Sequence, residues 1–353
     1  LATPTALITG VGRGAENGIL IKDPESLELA HKVDTLIIDK TGTLTKGEPR
    51  VIRQKWYPAI SDDYKKVLCA MEKRSEHPVG QAIVKALDHY DDPDFSINDF
   101  QTIEGKGIIA QIGNEQYFAG NLKLFEGLDI PLKERIIAES EILKHQPGIL
   151  MYFANENQLL AVITVSDEIR KSSVKAVDYL HHLGIEVVMM TGDTEQNASI
   201  VAKKTGIQKY FAGVLPQDKG QCIKSLQEQG KIVAMAGDGI NDSQALALAD
   251  VGIAMASGTD IAMESAGITL IKSNPAHIVS ALKLSRKTRS KIRQNLFWAF
   301  FYNILAIPVA AGVLYPLTGI LLNPMIAAAA MAFSSVSVVI NSLQLKKVNI
   351  SMN

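Results

Sequence analysis

Asp39 follows the apolar run Val33 to Ile38 and is itself followed by Lys40-Thr41-Gly42-Thr43-Leu44-Thr45. A Val/Ile/Leu-rich run of that length reads as a strand buried on both faces of a parallel sheet. The Asp39 carboxylate then emerges at the carboxyl edge, where such sheets bind ligands. A nucleophile belongs there, although Asp before small polar residues is also an ordinary way to leave a strand. Two more apolar runs end in polar clusters: Ile185 to Met190 at Thr191-Gly192-Asp193, and Lys231 to Ala236 at Gly237-Asp238-Gly239-Ile240-Asn241-Asp242. Phosphoryl transfer needs a nucleophile, a cation against the developing charge and hydrogen bonds to the equatorial oxygens. Asp39 supplies the first, Lys219 the second, and Thr43 and Thr191 the hydroxyls, with Lys40, Gly192, Asp193 and Asn241 beside them. Asp238 and Asp242 carry the carboxylates that Mg2+ takes, together with Asp39 and the backbone carbonyl of Thr41, phosphate and water filling the remaining positions. Singly, Lys219 reads as readily as a solvated helix charge, and Thr191-Gly192 as a turn.

The elements that must position these groups follow from the same pattern. Helical stretches Arg170 to Leu183, Thr194 to Lys204 and Asp218 to Gln229 are the crossovers a parallel sheet requires, so the fold class is α/β with a doubly wound core. No Walker-type phosphate loop occurs, so a nucleotide must be held elsewhere. The insertion from about Pro49 to Leu160 is long enough for a domain of its own and is the expected holder. At 353 residues, two to three domains are expected. The balance of 36 basic against 37 acidic residues gives no field for nucleic acid. Cys69 and Cys222, far apart and without neighbouring ligands, read as reduced thiols in the packing. The chain opens at Leu1 without a charged leader, and is expected to be a piece of something longer.

Composition shifts after Arg286, Lys287, Arg289, Lys291 and Arg293: Asn295 to Leu343 contains no Asp, Glu, Lys or Arg. Divided at Tyr315-Pro316 and Asn323-Pro324, it gives two apolar segments of about 20 residues, the length a helix needs to cross a bilayer. Basic residues before the first, Lys346 and Lys347 after the second, and an uncharged connection place both ends in the cytosol. A pair of helices buried in a soluble bundle is the alternative.

Asp39 to Thr45 resembles the phosphorylation motif of P-type ATPases. In this order Asp39, Thr191-Gly192-Asp193, Lys219 and Gly237 to Asp242 resemble the haloacid-dehalogenase-type phosphotransferase core that those ATPases carry. Phosphatases of that superfamily place a second acid two residues after the nucleophile to assist hydrolysis, and here that position is Thr41. An aspartyl phosphate on Asp39 is therefore expected to persist. Ser75-Glu76-His77-Pro78, Gly105-Lys106-Gly107-Ile108 and Gly120-Asn121 resemble the nucleotide-binding domain of the heavy-metal (P1B) members. That resemblance implies adenine contact by His77, close backbone approach at Gly105 and Gly107, and support from Glu76, Ile108, Gly120 and Asn121. Without it, His77 reads equally as a helix cap.

Together with Leu1-Ala2-Thr3-Pro4-Thr5, these motifs are similar to the copper exporters of the P1B class. Met331 and Ser335 lie four apart on one helix face, and a thioether suits Cu(I) or Ag(I), although apolar packing explains Met331 as well. With Tyr302-Asn303 they match the exporter pattern, which implies transported-ion ligands. No acid lies in these segments, as a Zn2+ carrier would be expected to have. The resemblance implies Mg2+ and ATP as cofactors and a multi-pass membrane location with cytosolic catalytic domains. It also implies dependence on an amino-terminal half carrying an actuator domain and a Cys-Pro-Cys helix, and a soluble copper chaperone as partner. The implied division is 1–18 helix end and linker, 19–48 and 163–285 phosphorylation domain, 49–162 nucleotide-binding domain, 286–345 transmembrane hairpin and 346–353 tail. The rivals are a membrane-tethered phosphohydrolase, a pump for Zn, Cd or K, and a non-catalytic nucleotide sensor.

Overall fold

A computed structural model of the chain describes all residues except 58–60, 93–95, 127–133, 135, 140–147, 239–241, 257–259, 312–323 and 353. The chain forms two compact units, one of Leu1–Leu44, Arg170–Asp193 and Thr205–Asn353, the other of Thr45–Ile169 and Thr194–Lys204.

The first unit is built on a seven-stranded sheet. Its strands lie side by side in the order Ile19–Ile21, Ile268–Leu270, Val251–Met255, Val233–Gly237, Thr35–Asp39, Glu186–Met190 and Lys209–Phe211. Only the edge strand Ile19–Ile21 runs antiparallel. The central strands are buried along their whole length, which is why they read as unbroken apolar runs. Because Ile38 stands opposite Ala236 and Asp39 opposite Met190, the three polar strand ends fall at one edge. Helices Lys171–His182 and Lys219–Glu228 lie where crossovers were expected. The doubly wound α/β core is therefore as the sequence predicts.

In the same unit, helix Ala2–Glu16 packs against the long helix Ala276–Ala310 and against Pro324–Leu343. Ala6, Ile292 and Leu345 form the core of that contact. Among the described residues no helix is long and apolar enough to cross a membrane. The predicted two-span hairpin is thus not seen as such. The first half of Ala276–Ala310 carries the basic run, its apolar part begins only at Asn295, and the connection at 312–323 lies outside the described residues. What is described of the two apolar segments is unusual in its exposure: Phe297, Phe300, Ile304, Ile307, Met331 and Phe333 each present more than half of their surface.

The second unit carries an antiparallel six-stranded sheet, ordered Thr45–Trp56, Leu159–Ile169, Ile149–Asn155, Glu115–Gly120, Gly107–Ile112 and Asp99–Ile103. Alternate residues face opposite sides, and both sides are covered. Ala119, Met151, Phe153, Ala161 and Ile163 pack with Leu68, Met71 and Ile83 of helices Asp62–Lys73 and Pro78–Ala86. Phe118, Tyr152, Ala154 and Val162 pack with Leu124 and Phe125 on the other side. The unit reaches beyond the 49–162 read from sequence because its first and last strands in the chain are each other's neighbours from Thr45↔Ile169 onward.

Candidate functional site

At the sheet edge of the first unit, Asp39 is 6% exposed, and its Oδ1 accepts a hydrogen bond from Lys219 Nζ at 2.6 Å. The same ammonium reaches Asp242 Oδ1 at 2.5 Å, and Lys219 and Asp242 are themselves buried. The other carboxylate oxygen of Asp39 accepts from the Thr41 N–H at 2.9 Å, because the chain turns sharply after the strand through Gly42 at φ +71°. A side chain there would be strained, and its Cβ would lie 2.6 Å from Asp238 Oδ2. Gly42 therefore lets the Asp238 carboxylate close on the turn that follows Asp39.

Burial pushes the Asp39 carboxyl up to about 7, with the negative charge of Asp242 adding to the rise, Lys219 opposing it and Asp238 adding a smaller push. Burial also works against the ammonium of Lys219, but the two carboxylates outweigh it and hold the amine above its ordinary value. Lys219 is thus no solvated helix charge. Thr43 is fully buried, and its hydroxyl has no hydrogen-bond partner among the described residues. Thr191 is buried and accepts the Asp193 N–H at 3.1 Å, while Asp193 pairs with Lys40 Nζ at 2.8 Å. Gly192 is exposed, and Asn241 lies outside the described residues.

Among the described residues no three His, Cys, Asp or Glu side chains form a ready metal cage. The reason is visible: the Lys219 ammonium occupies the space between Asp39 and Asp242. The donor set of Asp39, Asp238, Asp242 and the Thr41 carbonyl nevertheless fits Mg2+, a hard cation that takes oxygen ligands and fills its remaining positions with water and substrate phosphate. The partnerless Thr43 hydroxyl fits an incoming phosphate oxygen in the same way, since a buried hydroxyl left unpaired is costly.

In the second unit a pocket of about 200 Å³ is lined by Glu72, His77, Gly80, Gly105, Gly107, Ile108, Gly120 and Asn121, among others. Gly107, at φ +151°, stands opposite Gly120, and a Cβ on it would meet Ala119 O at 2.3 Å. This bare backbone stretch opens the pocket floor. Asn121 ties the rim by donating Nδ2 to Gly105 O at 2.8 Å, while its Oδ1 is buried without a partner among the described residues. His77 is both cap and lining: Val79 N–H donates to His77 Nδ1 at 3.2 Å, capping helix Pro78–Ala86. In the neutral ring the proton is then left on Nε2.

Glu76 does not line this pocket; it faces an adjacent groove with Lys73, Gln81 and Lys85. The acid inside is Glu72, which the sequence reading passed over. It is 6% exposed, and burial alone raises its carboxyl to about 7. The signal was present: Glu72 follows Leu68 by four positions, on the stripe of helix Asp62–Lys73 that buries Leu68 and Met71.

The transported-ion candidates are placed less convergently. Tyr302 lines a pocket with Asn295, Ser337 and Asn341. Asn303 Nδ2 donates back to Ala299 O at 2.8 Å, and Ser335 Oγ donates back to Met331 O at 3.2 Å. Met331 is 69% exposed.

Over residues 33–250 the chain matches the haloacid dehalogenase-like hydrolase family. It is 46% identical over 353 residues to a copper-exporting P-type ATPase of Legionella pneumophila, covering 99% of this chain and 47% of that protein. It is 45% identical over 352 residues to a silver exporting P-type ATPase of Salmonella typhimurium, covering 99% and 42%. The chain thus spans about half the length of the curated relatives it matches. Among solved structures it is similar to a zinc-transporting PIB-type ATPase in its E2.Pi state, with a TM-score of 0.83 and 30% identity over 98% of this chain and 55% of that one. It is also similar to the catalytic domain of the CPx-ATPase CopB-B, with a TM-score of 0.61 and 26% identity over 77% of this chain and 98% of that one.

Proposed function

We propose that this chain, which belongs to the haloacid dehalogenase-like hydrolase family and within it to the heavy-metal-transporting P-type ATPases, is the ATP-consuming part of an exporter of Cu(I) or Ag(I). The observation that carries this reading is the Asp39 carboxylate, buried at a parallel-sheet edge and clamped by Lys219 against Asp242.

In this reading the pocket of Glu72, His77, Gly105, Gly107, Gly120 and Asn121 takes the nucleoside end of ATP, and Asp39 attacks the γ-phosphate. Asp39 Oδ forms a bond to phosphorus as the bond to the β-phosphate oxygen breaks, and ADP leaves. Lys219 and the hydroxyls of Thr43 and Thr191 hold the equatorial oxygens in place. Asp39, Asp238, Asp242 and the Thr41 carbonyl would hold Mg2+, which would supply positive charge against the phosphates. Because Thr41 carries no acid, the acyl phosphate is expected to outlive the reaction that forms it. That longevity suits a pump whose amino-terminal half controls dephosphorylation, and not a phosphohydrolase. Lipid-embedded helices are supported by the exposed aromatic and aliphatic side chains of Phe297 to Ile307 and Met331 to Ile340. Cu(I) or Ag(I) as cargo is supported by the copper- and silver-exporting relatives and by the absence of acids between Asn295 and Leu343.

The test is incubation with γ-labelled ATP and Mg2+, acid quench and hydroxylamine treatment. Label that survives acid, leaves with hydroxylamine and is abolished by Asp39→Asn supports the reading. Steady phosphate release without label would favour a phosphohydrolase, and nucleotide binding without label a sensor.

A further inference from the structure

On the long helix Ala276–Ala310, Arg286, Arg289 and Arg293 lie at spacings of three and four, so their guanidinium groups share one face. With His31, Ser290, Gln294, Phe297 and Trp298 they line a groove of about 570 Å³. Among the described residues no acidic side chain lines it. Arg286 is held in place by donating Nη2 to Leu183 O at 3.0 Å, and Arg289 pairs with Glu28 at 3.2 Å from the groove's flank. Arg293 is exposed and has neither an ion pair nor a hydrogen bond among the described residues.

Beyond Arg293 the same face turns apolar within one turn, about 6 Å of helix. There Phe297 is 60% and Trp298 45% exposed, stacked edge to face at 5.5 Å. Three positive forks followed at once by two outward aromatic rings is a two-part surface. The forks match a phosphodiester bidentately, and the rings match the boundary between headgroups and acyl chains. A free anion would use the first part and leave the rings in water. A zwitterionic headgroup brings its own cation and gains less from the arginines.

We infer that this groove is a binding site for the headgroup of an anionic phospholipid, the phosphodiester lying among Arg286, Arg289 and Arg293 and the glycerol and first acyl carbons against Phe297 and Trp298. The inference rests on the reading that this helix enters a bilayer, and the experiment separates the two. Arginines at this level bind the cytosolic leaflet by charge as well as by contact, so occupancy falls as salt screens them.

The whole chain in detergent, offered equal amounts of phosphatidylglycerol and phosphatidylcholine and examined by native mass spectrometry, should retain the former preferentially. Arg293→Gln and Arg289→Gln should each lower that preference about fivefold. Lys287→Gln removes the same charge from the same helix outside the groove and should leave the preference unchanged, as should the melting temperature of all three variants. Equal retention of both lipids, or an equal loss in Lys287→Gln, overturns the inference, as does displacement of phosphatidylglycerol by inorganic phosphate, which would mark a soluble-anion site. Flotation with pure phosphatidylcholine vesicles tests the bilayer reading alone. A chain that floats but does not discriminate keeps that reading and loses this one, and a chain that never floats loses both.

Discussion

Two buried acids show how a single residue sets behaviour at this scale. Lys219 is the counter-ion of two carboxylates, so Lys219→Ala leaves both uncompensated and should lower the stability of the first unit by about 3–5 kcal/mol. Urea melts check this, and addition of Mg2+ should recover part of the loss, since the cation takes the vacated place. Glu72 offers a pH signature. Its folded pKa of about 7 lies above the ordinary 4.5 of a glutamic acid, so the fold favours the neutral acid. That contribution is complete below about pH 4.5 and disappears as pH rises through 7, a loss of the order of 3 kcal/mol for the second unit. His77 shares its pocket, and Lys73, Glu76, Lys85 and Asp88 line the groove on its other side. Melts of the chain at pH 5 and pH 8, with and without Glu72→Gln, should show the difference shrink by that amount in the variant, the remainder coming from Asp39, whose carboxyl burial also raises to about 7. Asp39 was legible in the sequence because its strand announces where it ends. Glu72 showed only its spacing from Leu68, because an acid within a helix reads as solvated until the burial of its stripe is known.

Among the elements, the helix Pro78–Ala86 and the strand pair at Gly107 make separable demands. His77→Ala removes an N-cap and should cost about 1 kcal/mol, whereas His77→Asn restores a good cap without the imidazole. Thermal melts and nucleotide titration should therefore part company: Asn recovers stability, and neither variant recovers affinity. Gly107→Ala forces a Cβ into Ala119 O in a left-handed backbone region, so it should destabilise the second unit by roughly 1–3 kcal/mol and weaken nucleotide binding. Isothermal titration with ATP tests the second half of that statement. The parallel strands were readable from their apolar runs. The strand Thr45–Trp56 was not, since Lys46, Glu48, Arg50 and Arg53 occupy it and Pro49 interrupts it. Its partner in register, Leu159–Ile169, is remote in sequence, so the true bounds of the insert became visible only through pairing.

At the level of the whole molecule, each unit holds its own candidate site: all of the described lining of the pocket around Glu72 and His77 lies in the second, and Asp39, Lys219 and Asp242 lie in the first. A fragment of residues 45–169 should therefore bind ATP with an affinity within a few-fold of the whole chain, a comparison calorimetry can make. The apolar segments were legible by composition, but their spans were not, because the basic first half of Ala276–Ala310 and the 312–323 connection decide where a bilayer begins. One local detail reaches furthest. Arg170 N–H donates to Leu44 O at 3.0 Å, and Ser173 Oγ reaches the same carbonyl at 2.6 Å. To the parallel-sheet core, more than a hundred residues of inserted chain are therefore a detour that leaves and returns at neighbouring points, and closing so short a gap costs little chain entropy. Such a junction is a natural graft point: a few glycines in place of the detour should leave the core folded around Asp39, and a foreign binding domain spliced there would make phosphorylation answer to a different ligand.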